Sequence, residues 1–226
     1  MNLVTGDTHG RTDIHKFGFS QFPMGRRMTL DDNLFVAGDF GLWWDESKED
    51  IYWREFIIAR PWMTCIVDGN HENFDRWLEF PVEEWNGGRV RRLAENIIWL
   101  QRGEVFDIYG VKFFVFGGAT SIDKAYRLPG RSWWPQEIPS QKEVENAFTN
   151  LEANNWEVDF VITHTCPHAE VPTFSGSLER LHDPVSYMLQ EFKDRLKFKK
   201  WYFGHFHKNK EVGRFHCVYN DIVQMW

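Results

Sequence analysis

Five short segments carry side chains able to hold metal ions or move protons: Gly6-Asp7-Thr8-His9-Gly10, Gly38-Asp39-Phe40-Gly41, Gly69-Asn70-His71-Glu72, Thr163-His164-Thr165 and Gly204-His205-Phe206-His207. Their donor atoms are carboxylate oxygen, amide oxygen and imidazole nitrogen, a mixture that suits borderline first-row metals such as Mn, Fe, Zn or Co. Singly, each is weak. Asp-x-His and His-x-His are common by chance, and one His at the end of an apolar strand is more often a hydrogen-bonded structural residue. Jointly they are hard to obtain by accident, because each follows an apolar run and most begin with Gly, which allows close backbone approach. The five segments read as one ligand set.

Residues so far apart in sequence need a scaffold that gathers them. Leu3-Val4, Leu34 to Ala37, Cys65 to Val67 and Phe160 to Ile162 are short apolar runs ending at polar residues. That is the pattern of buried parallel strands delivering side chains from their C-terminal ends, and in an α/β sheet those ends converge on one edge. Between the second and third runs, residues 50–58 repeat apolar positions at helical spacing and stop before Pro61, which predicts a βαβ unit. Ser140 followed by Glu143 has the form of a capping box opening a helix to about Asn154, and Asp183-Pro184 reads as an N-cap leading into Val185 to Leu196. Residues 97–100, 105–109 and 111–116, with Gly110 between the last two, predict hairpin strands, as does the region 212–223. The expected fold class is α/β: two mixed β-sheets packed face to face and flanked by helices in four layers. No repeat or evident linker divides the chain, so residues 1–226 are expected to form a single domain.

With 226 residues and hydrophobic and charged fractions of 42% and 26%, the chain is large enough for a sizeable core and unlike a disordered protein. Its 20 Phe and 12 Trp are read mainly as core filling. A net charge of −7 argues against a general electrostatic grip on nucleic acid, though not against a local positive site. Cys65, Cys166 and Cys217 are odd in number and widely spaced, which fits neither a disulfide framework nor a Cys-based zinc site. The first residues lack the pattern of a signal peptide and no apolar stretch is long enough to span a bilayer, so the expectation is a cytoplasmic protein with no membrane association and no protein partner.

The order Asp-x-His, Gly-Asp, Gly-Asn-His, His and Gly-His-x-His, running from Asp7 to His207, resembles the calcineurin-like metallophosphoesterases. The resemblance implies two divalent metal ions, with Mn expected and Fe, Zn, Co or Ni as alternatives. It places one on Asp7, His9, Asp39 and His207 and the other on Asp39, Asn70, His164 and His205, with Asp39 as the bridge. It also implies hydrolysis of a phosphate mono- or diester through a hydroxide bridging the dinuclear centre, with His71 as the catalytic residue that donates a proton to the leaving oxygen. The family fold agrees with the two-sheet reading.

The resemblance has a limit. Ser/Thr protein phosphatases extend the second motif to Gly-Asp-x-Val-Asp-Arg-Gly, using the second Asp to support the catalytic His and the Arg to bind phosphate, whereas this chain has Leu42 and Trp43 there. A nucleotide or nucleic-acid phosphoester is therefore preferred as substrate over a phosphoprotein. A carboxylate orienting His71 must come from elsewhere, with Asp45 a candidate. A catalytically silent scaffold of the same fold is disfavoured because all expected ligands and His71 are present. Substrate contacts are expected from Asn70, Arg127 and Arg131, the arginines lying in a segment from Asp123 to Pro135 that also offers Lys124, Tyr126, Trp133 and Trp134 as a wall beside the metals. An ordinary loop anchored by two core tryptophans is the rival reading of that segment.

Overall fold

The apolar runs form strands of two sheets. The computed structural model describes residues 1–176 and 179–225. In chain order its strands are β1 (Asn2–Thr5), β2 (Asn33–Ala37), β3 (Met63–Val67), β4 (Val82–Trp85), β5 (Gly88–Ala94), β6 (Ile97–Leu100), β7 (Val105–Ile108), β8 (Val111–Phe116), β9 (Phe160–Thr163), β10 (Lys200–Phe203), β11 (Lys210–Val212), β12 (Phe215–Cys217) and β13 (Val223–Gln224). Its α-helices are α1 (Lys48–Ile58), α2 (Phe74–Trp77), α3 (Gln141–Ala153), α4 (Val171–Phe174) and α5 (Pro184–Lys193).

One sheet has the order β13-β1-β2-β3-β6-β5-β4 and the other β11-β12-β10-β9-β8-β7. Strands β1, β2, β3 and β6 are parallel in the first, and β8, β9, β10 and β12 in the second. Antiparallel strands close the edges of both. Alternate residues of β2 and β3 face the other sheet, so Phe35, Cys65 and Val67 share a core with Phe113, Val115, Ile162 and Tyr202. The rings of Phe35 and Phe113 stack across that layer at 5.0 Å. Each buried Phe contributes about 1.5–3 kcal/mol relative to an exposed one, so the high aromatic content builds the layers. A second core lies on the outer face of the second sheet, where Phe114 and Phe116 meet Leu151 of α3 and Leu189 and Phe192 of α5. A third covers the outer face of the first sheet with Ile57, Trp62, Phe74 and Trp77.

The local signals perform as chemistry requires. Helix α1 joins β2 to β3 as a parallel βαβ unit. Ser140 and Glu143 form both halves of the capping box on α3. Asp183 accepts the Val185 N–H at 3.1 Å with Pro184 at the first helical position. Strand pairing and element ends differ: β6 joins β3 and β5 in the first sheet while β7 pairs with β8 in the second, and the region 212–223 divides between β12 of the second sheet and β13 of the first. Helix α5 ends at Lys193 instead of 196, and Tyr109 leaves β7 at φ +54° to turn through Gly110. The basic stretch 89–92 belongs to β5 and pairs with β4, where Arg92 meets Glu83.

At the end of β3 a buried ion pair ties the two sheets together. Asp68 accepts hydrogen bonds from Arg102 Nε at 2.9 Å and Nη2 at 2.5 Å, and from Trp99 Nε1 at 3.0 Å. Its carbonyl accepts the N–H of Gly118, just beyond β8 in the other sheet, at 2.9 Å. Both side chains are buried. Asp68→Ala is expected to cost roughly 3–5 kcal/mol, because a buried guanidinium then lacks its counter-charge. At about 2–4 °C per kcal/mol for a chain of this size, the melting temperature should fall by roughly 6–20 °C. Circular dichroism melts check this, and the double variant Asp68→Leu/Arg102→Met should recover most of the loss. An unchanged melting temperature in Asp68→Ala would contradict the assignment.

Candidate metal centre

The C-terminal ends of β1, β2, β3, β9 and β10 open toward one edge and bring the five segments together. Asp7 follows β1 and Asp39 follows β2; both are buried. His9 places Nε2 at 3.3 Å from Asp39 Oδ2, and His207 places Nε2 at 3.4 Å from Asp7 Oδ2. Asp39 Oδ1 also accepts the backbone N–H of His71 at 2.8 Å, locking the second segment to the third. Asp7 accepts the His205 N–H at 3.1 Å, a bond between the two sheets. The ligating atoms of Asp7, Asp39 and His164 lie within 4.8 Å of one another, as do those of His9, Asp39 and His71. Asp39 is common to both groups.

The approach is too close for ordinary side chains. A Cβ on Gly38 would lie 1.9 Å from His164 Nδ1, and one on Gly69 would lie 2.1 Å from Asp39 Oδ1. His9, Asp39, His205 and His207 all have positive φ, at 44°, 50°, 65° and 50°. Non-glycine residues pay for that conformation, and such strain concentrates at functional sites.

Whether these residues fit metal ions can be read from His164. Its Nδ1 faces the Ala37 carbonyl at 2.9 Å and so donates there. Its Nε2 then looks toward Asn70 Oδ1 at 3.0 Å, His205 Nδ1 at 3.2 Å and Asp39 Oδ1 at 3.4 Å. Carboxylate and amide oxygens converging with imidazole nitrogens on one point call for a shared cation. With protons as the only cations, His164 supplies the charge: burial opposes it, yet Asp39 and Asp7 push its pKa up to about 10. Burial likewise works against ionisation of Asp39, but His164 and His71 hold its carboxyl well below the usual range. For Asp7, burial prevails and raises the carboxyl. The donor set fits divalent ions.

Several supporting residues carried no role in the sequence reading. Glu72 is fully buried and accepts backbone N–H groups from Phe40 at 2.8 Å, Gly41 at 3.0 Å and Gly69 at 3.3 Å, which clamps the loop of Asp39 to the loop of Asn70. Its place directly after Gly69-Asn70-His71 was the available signal. Asn70 donates Nδ2–H to Ser121 Oγ at 3.0 Å, and Ser121 donates to Glu137 at 2.6 Å, so the amide oxygen of Asn70 is turned toward His164. Lys16 Nζ donates to the carbonyls of Gly6 and Asp7. Nothing in the sequence marks Ser121, Glu137 or Lys16, whose partners are all distant or main-chain.

A cleft of about 230 Å³ opens beside the centre, lined among others by Asn70, His71, Asp123, Arg127, Arg180 and His207. Arg180, in the short turn Glu179–His182, donates to the His205 carbonyl at 3.3 Å and was not singled out from sequence. Arg127 reaches His71 Nδ1 at 2.9 Å. Arg131 is exposed and is not among the residues lining this cleft. Trp134 is 3% exposed, packs against Trp44 at 5.2 Å and donates to Asp75 at 2.7 Å, so it anchors the loop instead of forming a stacking wall. Tyr126, in contrast, is 93% exposed. Asp45 is turned to the N–H of Ser47 at 2.9 Å, and the side chain meeting the His71 ring is the cation Arg127, not a carboxylate. A second cleft of about 320 Å³ has His9 in its wall, with Trp44, Asp45, Glu49 and Trp53.

A model of the calcineurin-like phosphoesterase family matches residues 3–209. The chain belongs to that family. It is accordingly a phosphoesterase, a metal-dependent hydrolase of phosphoric ester bonds. Comparison with curated proteins gave no match. Among solved structures, the phosphopantetheinyl hydrolase PptH from Mycobacterium tuberculosis is similar over 97% of this chain and 89% of that chain, at 16% identity and a TM-score of 0.45. No helix among the described residues of this phosphoesterase is long and apolar enough to cross a membrane.

Proposed function

We propose that this phosphoesterase uses two divalent ions, held by Asp7, His9, Asp39 and His207 and by Asp39, Asn70, His164 and His205, to hydrolyse a nucleotide-sized phosphoester. The observation that carries this reading is the shared place of Asp39 in both groups of ligating atoms, which suits a bridging carboxylate. When bound, such ions lower the pKa of water and neutralise charge on a phosphoryl group. The remaining work falls to the chain. The Ser121–Glu137 pair keeps the Asn70 oxygen pointed inward, and Glu72 keeps the two carboxylate and amide loops in register. Arg180 supplies positive charge on the cleft wall for phosphate oxygens. His71 presents a ring hydrogen to the oxygen that leaves.

Substrate size follows from the two clefts beside His71 and His9. They suit a phosphoryl group on one side and an organic group of nucleotide size on the other, with Trp44 and Trp53 offering aromatic surface. The net charge of −7 argues against a general electrostatic grip on duplex nucleic acid. A phosphoprotein substrate is disfavoured because Leu42 and Trp43 are buried core residues where the phosphatase pattern has its Asp-Arg pair.

Activity should vanish on chelation and return with Mn, with metal content followed by elemental analysis. Full activity in verified metal-free protein would overturn the proposal. Comparing bis- and mono-p-nitrophenyl phosphate, then nucleotide and phosphopeptide panels, decides the substrate class. Turnover of phosphopeptides above nucleotides would favour the phosphatase reading, and absence of both bound metal and turnover would favour a scaffold.

A further inference from the structure

Arg127 is placed to bind phosphate, yet its donors are already engaged. Nε and Nη2 grip the two oxygens of Asp123 at 2.7 and 2.8 Å. Nη1 reaches the Ser132 carbonyl at 3.1 Å and His71 Nδ1 at 2.9 Å. The remaining Nη2 hydrogen faces the same imidazole, 3.4 Å from Nε2. A guanidinium carries five N–H groups, and here no parallel pair is left for the two-pronged contact that makes Arg a good phosphate ligand.

The contact also has a direction. A guanidinium only donates, and its hydrogens meet both ring nitrogens, Nδ1 at 2.9 Å and Nε2 at 3.4 Å; a neutral ring offers one lone pair, and we assign it to the closer contact, Nδ1. The other nitrogen, Nε2, then carries the ring hydrogen. Asp123 and Arg127 are four residues apart on one short turn, and Ser132 closes that turn through its hydroxyl, which accepts the Leu128 N–H at 2.9 Å. The arm is therefore braced at its base and lines the cleft beside the His71 ring, which Arg127 meets directly.

We propose that Asp123 and Arg127 form a positioning arm for His71: Asp123 orients the guanidinium, and the guanidinium fixes the imidazole so that Nε2–H faces the leaving oxygen. Arg127 is thus a positioning residue and not a phosphate clamp. This inference rests on the phosphoesterase site proposed above.

Two measurements on the full chain test it. With ¹⁵N-labelled histidine and no added metal, His71, assigned by comparison with His71→Gln, should show an unprotonated Nδ1 and a protonated Nε2. Arg127→Ala should give mixed tautomers, and Arg127→Lys should not restore the wild-type pattern. A protonated Nδ1 in the wild type would overturn the proposal. This readout needs no turnover, so it stands even if the phosphoesterase reading of the site fails. In kinetics, Arg127→Ala and Asp123→Asn should lower kcat by roughly 10- to 100-fold, the usual consequence of a misplaced reacting group. KM should stay within about twofold. Adding Arg127→Ala to His71→Ala should cost nothing further, because the arm acts through His71. A raised KM with unchanged kcat would make Arg127 a phosphate ligand, and fully additive losses would make it independent of His71; either overturns the arm.

Discussion

Asp39→Asn is expected to abolish turnover, by roughly 10³-fold or more, which corresponds to about 4 kcal/mol of lost transition-state stabilisation. Asparagine is the appropriate replacement. It tolerates the left-handed conformation at φ +50° better than alanine does, and its amide oxygen can still accept the His71 N–H that Asp39 accepts at 2.8 Å. The fold should therefore survive while one negative charge leaves a position common to both groups of ligating atoms. Both proposed ion positions should weaken together. Elemental analysis beside kcat is the check; a variant that keeps two tightly held ions, or wild-type turnover, would remove Asp39 from the bridge.

His71→Ala should lower kcat by roughly 10²–10⁴-fold with metal content largely retained, since the ring is proposed to present a hydrogen to the departing oxygen and is not counted among the proposed ligands. The loss should depend on the substrate. A leaving group that is already a stable anion needs little help, so the defect should shrink from an alkyl ester to a nitrophenyl ester. Equal losses across leaving groups of widely different pKa would contradict that role. Loss of metal with loss of turnover would instead make His71 a ligand, a reading that its nearness to His9 and Asp39 makes worth excluding by measurement.

The strands that end at the site were legible because β1, β2, β3 and β9 are continuous apolar runs, a signal complete within a few residues. The β4–β5 hairpin was not, because its alternation mixes Glu and Arg on both faces, with Arg92 paired to Glu83 across the strands. That the five polar segments meet was readable from their repeated position after apolar runs. The brace behind them was not: Asn70 meets Ser121 51 residues away, and no local pattern encodes that contact. The segment 123–135 shows the limit most clearly. Arg127 and Trp134 sit in one irregular stretch with no period to reveal direction, and one side chain turns to the cleft while the other enters the core.

The hydrogen bond from His205 to Asp7 spans 198 residues, and β13 lies against β1. Loop-closure entropy must be met before contacts of such separation can form, which makes them slow to appear during folding. Until the segments after β9 and β10 arrive, Asp7 lacks His164 and His207, and Asp39 has His9 and His71 but not His164. The first sheet can thus gather its carboxylates early, whereas the complete constellation waits for docking of the second. Assembly of the site reports that both halves of the molecule have found each other.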